Sequence, residues 1–114
     1  MGRMWMTPVE MMCQTHLKSE YASLHSFAGL IIHKYKLDGY IKTNSLEVSA
    51  IQDRYIEVVA EILKREYPWP SKDLPAFDIS DLPEEVLQYH VDRDASLEML
   101  LFRCTECCKR YFER

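Results

Sequence analysis

The chain has 114 residues, of which 47% are hydrophobic, and this length supports a single domain over residues 1–114 with a modest core. The formal net charge of −4, from 14 Lys and Arg against 18 Asp and Glu, argues against a general DNA-binding protein but leaves room for a local basic face. No apolar run is long enough to span a bilayer, and the first residues lack the apolar stretch of a signal peptide, so we expect a cytoplasmic protein with no membrane partner.

The first predicted element is a long helix over residues 7–36. Thr7 can cap it, Pro8 suits the first helical position, and Glu10 would close a capping box with Thr7. Apolar residues recur at spacings of three and four, which predicts one buried stripe made of Val9, Met12, Cys13, Leu17, Leu24, Ala28, Ile31 and Tyr35. Lys18 falls on the opposite side and should be exposed.

A second helix is predicted over residues 46–67, and a proline-rich loop over residues 68–83 follows it. Its buried face should consist of Val48, Ile51, Tyr55, Val58, Val59, Ile62 and Leu63. A third helix over residues 95–112, capped by Asp92 or Asp94, would bury Leu97, Leu100, Leu101, Cys104, Cys108 and Tyr111. Three main helices joined by ordered loops predict a compact all-α domain.

Two pairs of soft metal ligands stand at the spacing of one helical turn. Cys13-x-x-His16 belongs to the first predicted helix and Cys104-x-x-Cys107 to the third. In a cytoplasmic protein such cysteines are more often thiols or metal ligands than disulfides. If the two helices pack face to face, the four ligands can meet in a tetrahedral, structural zinc site. Two alternatives stay open: the cysteines are buried small hydrophobic residues, or Cys108 replaces one of the ligands.

Three stretches of the chain carry a resemblance to a known family. The first contains Arg3, Val9, His16-Leu17, Glu20-Tyr21 and Leu24, the second Arg54, Ile56-Glu57, Ala60-Glu61 and Leu63-Lys64-Arg65, and the third the acidic loop over residues 78–85. In these stretches the chain resembles the phage-type pyrimidine-dimer DNA glycosylases, also called dimer-excising endonuclease V. The resemblance covers most of the chain and implies the all-α fold of that family.

The resemblance also implies a DNA glycosylase and abasic-site lyase. In that family the amine exposed by removal of Met1 attacks the sugar C1′ and forms an imine, and no cofactor is required. Gly2 occupies the position of this nucleophile, and a terminal amine with a pKa near 8 is roughly a tenth to a third neutral at neutral pH. Arg3 and His16 match family positions that hold phosphate and sugar, and Lys18 is a further expected DNA contact.

The chain departs from the family at the catalytic carboxylate. The family's catalytic Glu falls at Ser23, and two of its DNA-gripping arginines fall at Ala22 and Ser26. A serine cannot supply the carboxylate that stabilises an imine cation or carries a proton. Glu20 lies one turn earlier and is the candidate substitute, so the expected catalytic positions are Gly2, Glu20 and Ser23.

Three function classes follow from these observations. The leading prediction is a monomeric glycosylase and lyase that acts on damaged, modified or abasic DNA. The second is a non-catalytic descendant of the same fold that binds nucleic acid or protein. The third is a zinc-stapled domain with another role. A zinc ion on His16 would remove that side chain from DNA binding, so the metal and DNA interpretations compete for one residue.

Overall fold

The computed structural model describes residues 2–69 and 73–113, and every regular element in these ranges is helical. The α-helices are α1 (Gln14–Ile32), α2 (Asp38–Lys42), α3 (Ile51–Lys64), α4 (Glu84–Leu87), α5 (Arg93–Arg103) and α6 (Thr105–Glu113), and 3₁₀ turns cover Val9–Met11 and Val48–Ala50. The all-α prediction is therefore confirmed for the described residues, but the predicted three helices are six. None of the described helices is long and apolar enough to cross a lipid bilayer.

Helix α1 begins at Gln14 rather than near Thr7. Met11, Met12 and Cys13 are buried one after another, and Met12 has an extended backbone with φ −77° and ψ 134°. Three successive buried side chains do not fit one stripe of an α-helix, because the helix turns about 100° per residue. The predicted second helix is shortened for the same reason, since residues 45–48 are also buried in succession.

The cap of α1 is a cysteine. Cys13 precedes the first helical residue, and its Sγ accepts the backbone N–H of His16 at 3.4 Å. The predicted capping box between Thr7 and Glu10 is therefore wrong. The Thr7 hydroxyl is buried and has no hydrogen-bond partner among the described residues.

Helices α1 and α3 pack against each other and form the centre of the core. Leu17 and Leu24 are fully buried and Ile31 nearly so, whereas Lys18 is exposed, as the helical spacing predicted. The buried apolar face of α3 consists of Ile51, Tyr55, Val58 and Ile62. Leu63 was predicted to join this face but is 60% exposed, because it lies about 100° around the helix from its buried neighbour.

The predicted third helix over residues 95–112 is two helices. Asp92 caps α5 by accepting the Ala95 N–H at 3.1 Å. Cys104 has an extended backbone between α5 and α6, and its Sγ accepts the Cys107 N–H at 3.4 Å, which caps α6. The residues predicted to be buried here are half-buried apart from Leu100: Leu97, Leu101, Cys104, Cys108 and Tyr111. The break instead directs Cys107 into the core, where it is fully buried.

Residues 2–6 form neither helix nor strand, and they cross the surface of the helical core. Met4 is fully buried and its N–H donates to the Ser45 carbonyl at 2.7 Å. Trp5 is 7% exposed, and its carbonyl accepts the Ser96 hydroxyl. The segment therefore packs against the helices.

Candidate metal centre and amino-terminal groove

Two helix starts bring together the four predicted metal ligands. Cys13 caps α1 and His16 lies in its first turn, while Cys104 caps α6 and Cys107 lies in its first turn. We call these four residues the Cys/His cluster. Each pair has the spacing of one helical turn, so both of its side chains can point toward the same place. Cys108 is half-buried and is not a member of the cluster.

The four ligand atoms of the Cys/His cluster all lie within 4.8 Å of one another. The Cys13 and Cys104 sulfurs are 3.8 Å apart, and His16 Nδ1 lies 3.2 Å from the Cys13 sulfur and 3.7 Å from the Cys107 sulfur. Ligands of a tetrahedral zinc ion with ordinary bond lengths are separated by about 3.8 Å for two sulfurs and about 3.6 Å for sulfur and nitrogen. The donor set and its spacing therefore fit a metal ion such as zinc.

Backbone N–H groups point at each of the three sulfurs. His16 N–H donates to the Cys13 sulfur and Cys107 N–H to the Cys104 sulfur, both at 3.4 Å. Cys13 N–H donates to the Cys107 sulfur at 3.2 Å. Such donors stabilise negative charge on sulfur, and outer contacts of this kind orient metal ligands. The three backbone N–H groups would therefore stabilise the thiolates that a bound metal requires.

The titrating groups of the cluster differ in their surroundings. Burial lowers the pKa of His16 and favours the neutral imidazole, which is the form that binds metals. Burial raises the pKa of Cys107. Burial also acts to raise the pKa of Cys104, but hydrogen bonds from Cys107 and Cys13 outweigh it, so this pKa is lowered overall. Without a metal, Cys104 is therefore more easily deprotonated than Cys107.

An open cavity of about 500 Å³ borders the Cys/His cluster. Its lining includes Cys13, His16 and Cys104, together with Tyr67 and Arg110. Solvent and small solutes can therefore reach this side of the cluster. Cys107 is fully buried and does not line the cavity.

Trp5 links the cluster to the amino-terminal segment. Its ring meets the His16 ring edge to face, with centroids 5.6 Å apart and planes at 83°. The Arg3 guanidinium lies over the Trp5 ring, with its Cζ 5.1 Å from the ring centroid, and forms a cation-π contact. Sequence analysis gave Trp5 no role in the site, and its contacts with two predicted DNA-binding residues depend on the tertiary fold.

Gly2 lies against α1 at the edge of an open groove of about 620 Å³. A Cβ atom on Gly2 would stand 3.2 Å from Ser23 Oγ and 3.3 Å from Phe27 Cζ. The groove is lined by Gly2, Ser19, Ala22, Ser23, Ser26, Gly29, Leu30, His33, Tyr35 and Tyr40. Two of the predicted catalytic positions, Gly2 and Ser23, are therefore neighbours, and the described residues that line the groove include no carboxylate.

The Ser23 hydroxyl is held by two hydrogen bonds. It accepts the Arg3 N–H at 3.1 Å and donates to the Ser19 carbonyl at 2.8 Å. This contact fastens the amino-terminal segment to α1. Ser23 therefore has a positioning role in the structure.

Glu20, the third predicted catalytic residue, lies away from the groove. It is fully buried and paired with Arg54, whose Nε and Nη2 donate to its two carboxylate oxygens at 2.7 and 2.9 Å. Arg54 is a partner that sequence analysis missed. Its signal was an arginine at helical spacing within the buried face of α3.

The predicted DNA contacts separate into two places. Arg3 and His16 both contact Trp5, whereas the Lys18 ammonium lies 5.7 Å from the Trp69 ring centroid. Burial, followed by the nearby charge of Arg103, lowers the pKa of Arg3. Its buried Nη1 has no hydrogen-bond partner among the described residues.

Comparisons with known proteins do not assign this chain to a family. No protein-family model, no curated protein and no solved structure matches it. The resemblance to the pyrimidine-dimer glycosylases stays a prediction, and the geometry of the described residues carries the functional argument.

Proposed function

We propose that this chain is a zinc-stapled helical protein that acts on abasic DNA. The zinc role is supported by the convergence of the four ligand atoms of the Cys/His cluster within 4.8 Å. The DNA role is supported by the position of Gly2 beside Ser23 at the edge of an open groove. The two roles rest on different residues and can be tested separately.

Three thiolates and one imidazole are a ligand set that zinc prefers. Four protein ligands complete a tetrahedral coordination shell and leave no position for substrate, so the ion would be structural. It would join the start of α1 to the start of α6, which are separated by about ninety residues in the sequence. Because such a site forms only in the folded chain, zinc binding would add directly to folding stability.

Elemental analysis tests the metal role. Protein expressed with zinc and purified without chelator should contain about one zinc per chain, and a strong chelator should lower its Tm. Cys107→Ser should lose the metal, whereas Cys108→Ser, which alters a thiol outside the cluster, should keep it. Absence of bound metal in the unaltered protein would exclude the zinc staple.

The DNA chemistry would start from the α-amine of Gly2 after removal of Met1, a step that lies outside the described residues. The amine attacks the C1′ aldehyde of a ring-opened abasic sugar and loses water, which forms an imine. Water then accepts a proton from C2′, a C2′–C3′ double bond forms and the C3′–O bond breaks, so the DNA segment on the 3′ side leaves with its 5′-phosphate. Hydrolysis of the imine restores the amine. The amine and water suffice for these steps.

The lining of the groove favours abasic sites over intact damaged bases. Excision of a base benefits from an acid or a carboxylate at the reacting centre. In the part of the chain that the structure describes, the groove lining has no carboxylate, and Glu20 is paired with Arg54. An abasic aldehyde is already electrophilic and reacts with a neutral amine. The lyase step therefore needs less from the protein than the glycosylase step.

Borohydride trapping on abasic-site DNA tests the DNA role. Protein with a free Gly2 terminus should form a covalent complex, and the same protein with residues added before Gly2 should not. The assay belongs at low ionic strength because a chain of net charge −4 should bind DNA weakly and lose binding steeply with salt. If no complex forms, or if the blocked protein reacts equally well, the lyase role is rejected.

The alternative is a non-catalytic role in binding nucleic acid. It is favoured by the ion pair of Glu20 with Arg54 and by the two hydrogen bonds of the Ser23 hydroxyl, because both side chains already have partners. Arg3 would then contact phosphate without any covalent step. DNA binding that depends on Arg3, together with no trapped complex, would distinguish this role from the lyase.

A further inference from the structure

The three thiols of the Cys/His cluster differ in their access to solvent. Cys104 is partly exposed and lines the open cavity of about 500 Å³. Cys13 is 7% exposed, and Cys107 is fully buried. When all three sulfurs are zinc-bound thiolates, a small oxidant reacts first with the one that solvent reaches. Cys104 is therefore the first point of attack for a small peroxide.

A second thiol stands next to Cys104. The Cys13 sulfur is 3.8 Å away, although the two residues are 91 positions apart in the sequence. A disulfide bond of about 2.05 Å requires the sulfurs to approach by roughly 1.8 Å. Both residues have extended backbones just before a helix, so a small shift does not unwind a helical turn. Cys107 lies inside α6 and is less free to move.

From this geometry we propose that Cys104 and Cys13 form a peroxide-sensitive thiol pair whose oxidation expels the zinc ion. The proposal rests on the zinc site proposed above. The Cys104 thiolate attacks one oxygen of hydrogen peroxide, which cleaves the O–O bond, releases hydroxide and leaves a sulfenic acid on Cys104. The Cys13 thiolate then attacks that sulfur and displaces a second hydroxide, which forms the disulfide. Two thiolates thus lose two electrons in total, and two protons from solvent convert the two hydroxides to water.

Loss of two of the four ligands releases Zn²⁺, because Cys107 and His16 alone do not complete a tetrahedral shell. The new disulfide joins the same two segments that the metal joined. The tie between α1 and α6 therefore survives oxidation as a covalent bond. His16, which lies against Trp5, is freed from the metal, so oxidation would make the imidazole available to a ligand on the Arg3 side.

The experiment treats the zinc-loaded protein with hydrogen peroxide under air-free conditions after its zinc content has been measured. Zinc release is followed with a chromogenic chelator, and the disulfide is located by mass spectrometry of alkylated, non-reduced peptides. The control variant is Cys108→Ser, which should behave as the unaltered protein. Cys104→His, which retains a ligand without a thiol, should keep its zinc under the same peroxide dose.

We expect release of about one zinc per chain together with a Cys13–Cys104 linkage and an unchanged helical circular dichroism spectrum. A Cys104–Cys107 linkage, a linkage through Cys108, or zinc retention at peroxide doses that oxidise free glutathione would overturn the proposal. If metal analysis shows no zinc at the start, the zinc site fails by itself. Peroxide treatment of that metal-free protein still decides whether the Cys13–Cys104 pair forms, which keeps the two failures distinct.

Discussion

Glu20 and Arg54 form a bidentate ion pair in the interface between α1 and α3. The donor–acceptor distances are 2.7 and 2.9 Å, and neither side chain is more than 2% exposed. A buried pair of this kind is sensitive to the loss of one partner, because the remaining charge is left without compensation. In this fold the Glu20 carboxylate therefore compensates the buried charge of Arg54 between α1 and α3.

Removal of the Glu20 charge should destabilise the whole protein. We expect Glu20→Gln to lower the free energy of unfolding by about 3 to 5 kcal/mol, measured by denaturant titration. Glu57 also contacts Arg54 but is 57% exposed, so Glu57→Gln should cost less than about 1 kcal/mol. A Glu20→Gln protein of normal stability with a reduced lyase rate would indicate a catalytic Glu20 instead.

Metal binding at the proposed zinc site should change the fluorescence of Trp5. The His16 ring lies against Trp5, so removal of a metal from His16 should change the fluorescence of this tryptophan. The chain has two tryptophans. Trp69→Phe should retain the change on chelation, and Trp5→Phe should abolish it. An equal change in both variants would point to general unfolding rather than to a metal contact at His16.

Acid stability should depend on Glu47, which is 4% exposed and joins the start of α3 to the segment before α5. Burial acts to raise its pKa, but hydrogen bonds from Arg93, His90 and the Val91 N–H outweigh burial, so the pKa is lowered overall. A carboxylate whose pKa is lower in the folded state than its unfolded value near 4.3 stabilises the fold at higher pH. This contribution is lost as pH falls below about 4 and through the folded pKa.

The matching variant is Glu47→Gln. It should lower stability at pH 7 by about 1 to 3 kcal/mol, because its buried donors lose a charged acceptor. It should also flatten the decline of Tm between about pH 5 and pH 3. Glu85→Gln, at an exposed position on α4, serves as the control. The same acid decline in both variants would contradict the role given to Glu47.

Ser23→Glu should raise lyase activity if the Gly2 groove is a catalytic site. A carboxylate would then stand beside the amine, and general acid–base assistance is typically worth about a hundredfold or more. The same change removes the acceptor of the Arg3 N–H, so a loss of stability of about 1 kcal/mol should accompany it. Ser23→Ala shares that loss without adding a carboxylate, and its lyase rate should not rise. Equal rates in the two variants would argue against a catalytic groove.

Much of the local structure could be predicted from the chain alone. The helical spacing of apolar residues predicted which face of α1 is buried. In the structure Leu17, Leu24 and Ile31 are buried and Lys18 is exposed, as predicted. Helix ends were predicted less well. The start of α1 and the break at Cys104 depend on which side chains the core buries. Tertiary packing determines this burial, and local helix propensity does not reveal it.

The sequence by itself determined the all-α class and the two ligand pairs of the Cys/His cluster, because both follow from the period of a helix. Only the tertiary structure decided that Cys13 and Cys104 meet at 3.8 Å and that Arg54 neutralises Glu20. A periodic pattern states which side chains share a face, but it does not say which distant segment will cover that face. Which segments contact each other is determined when residues far apart in the chain bury their apolar surfaces together in one core.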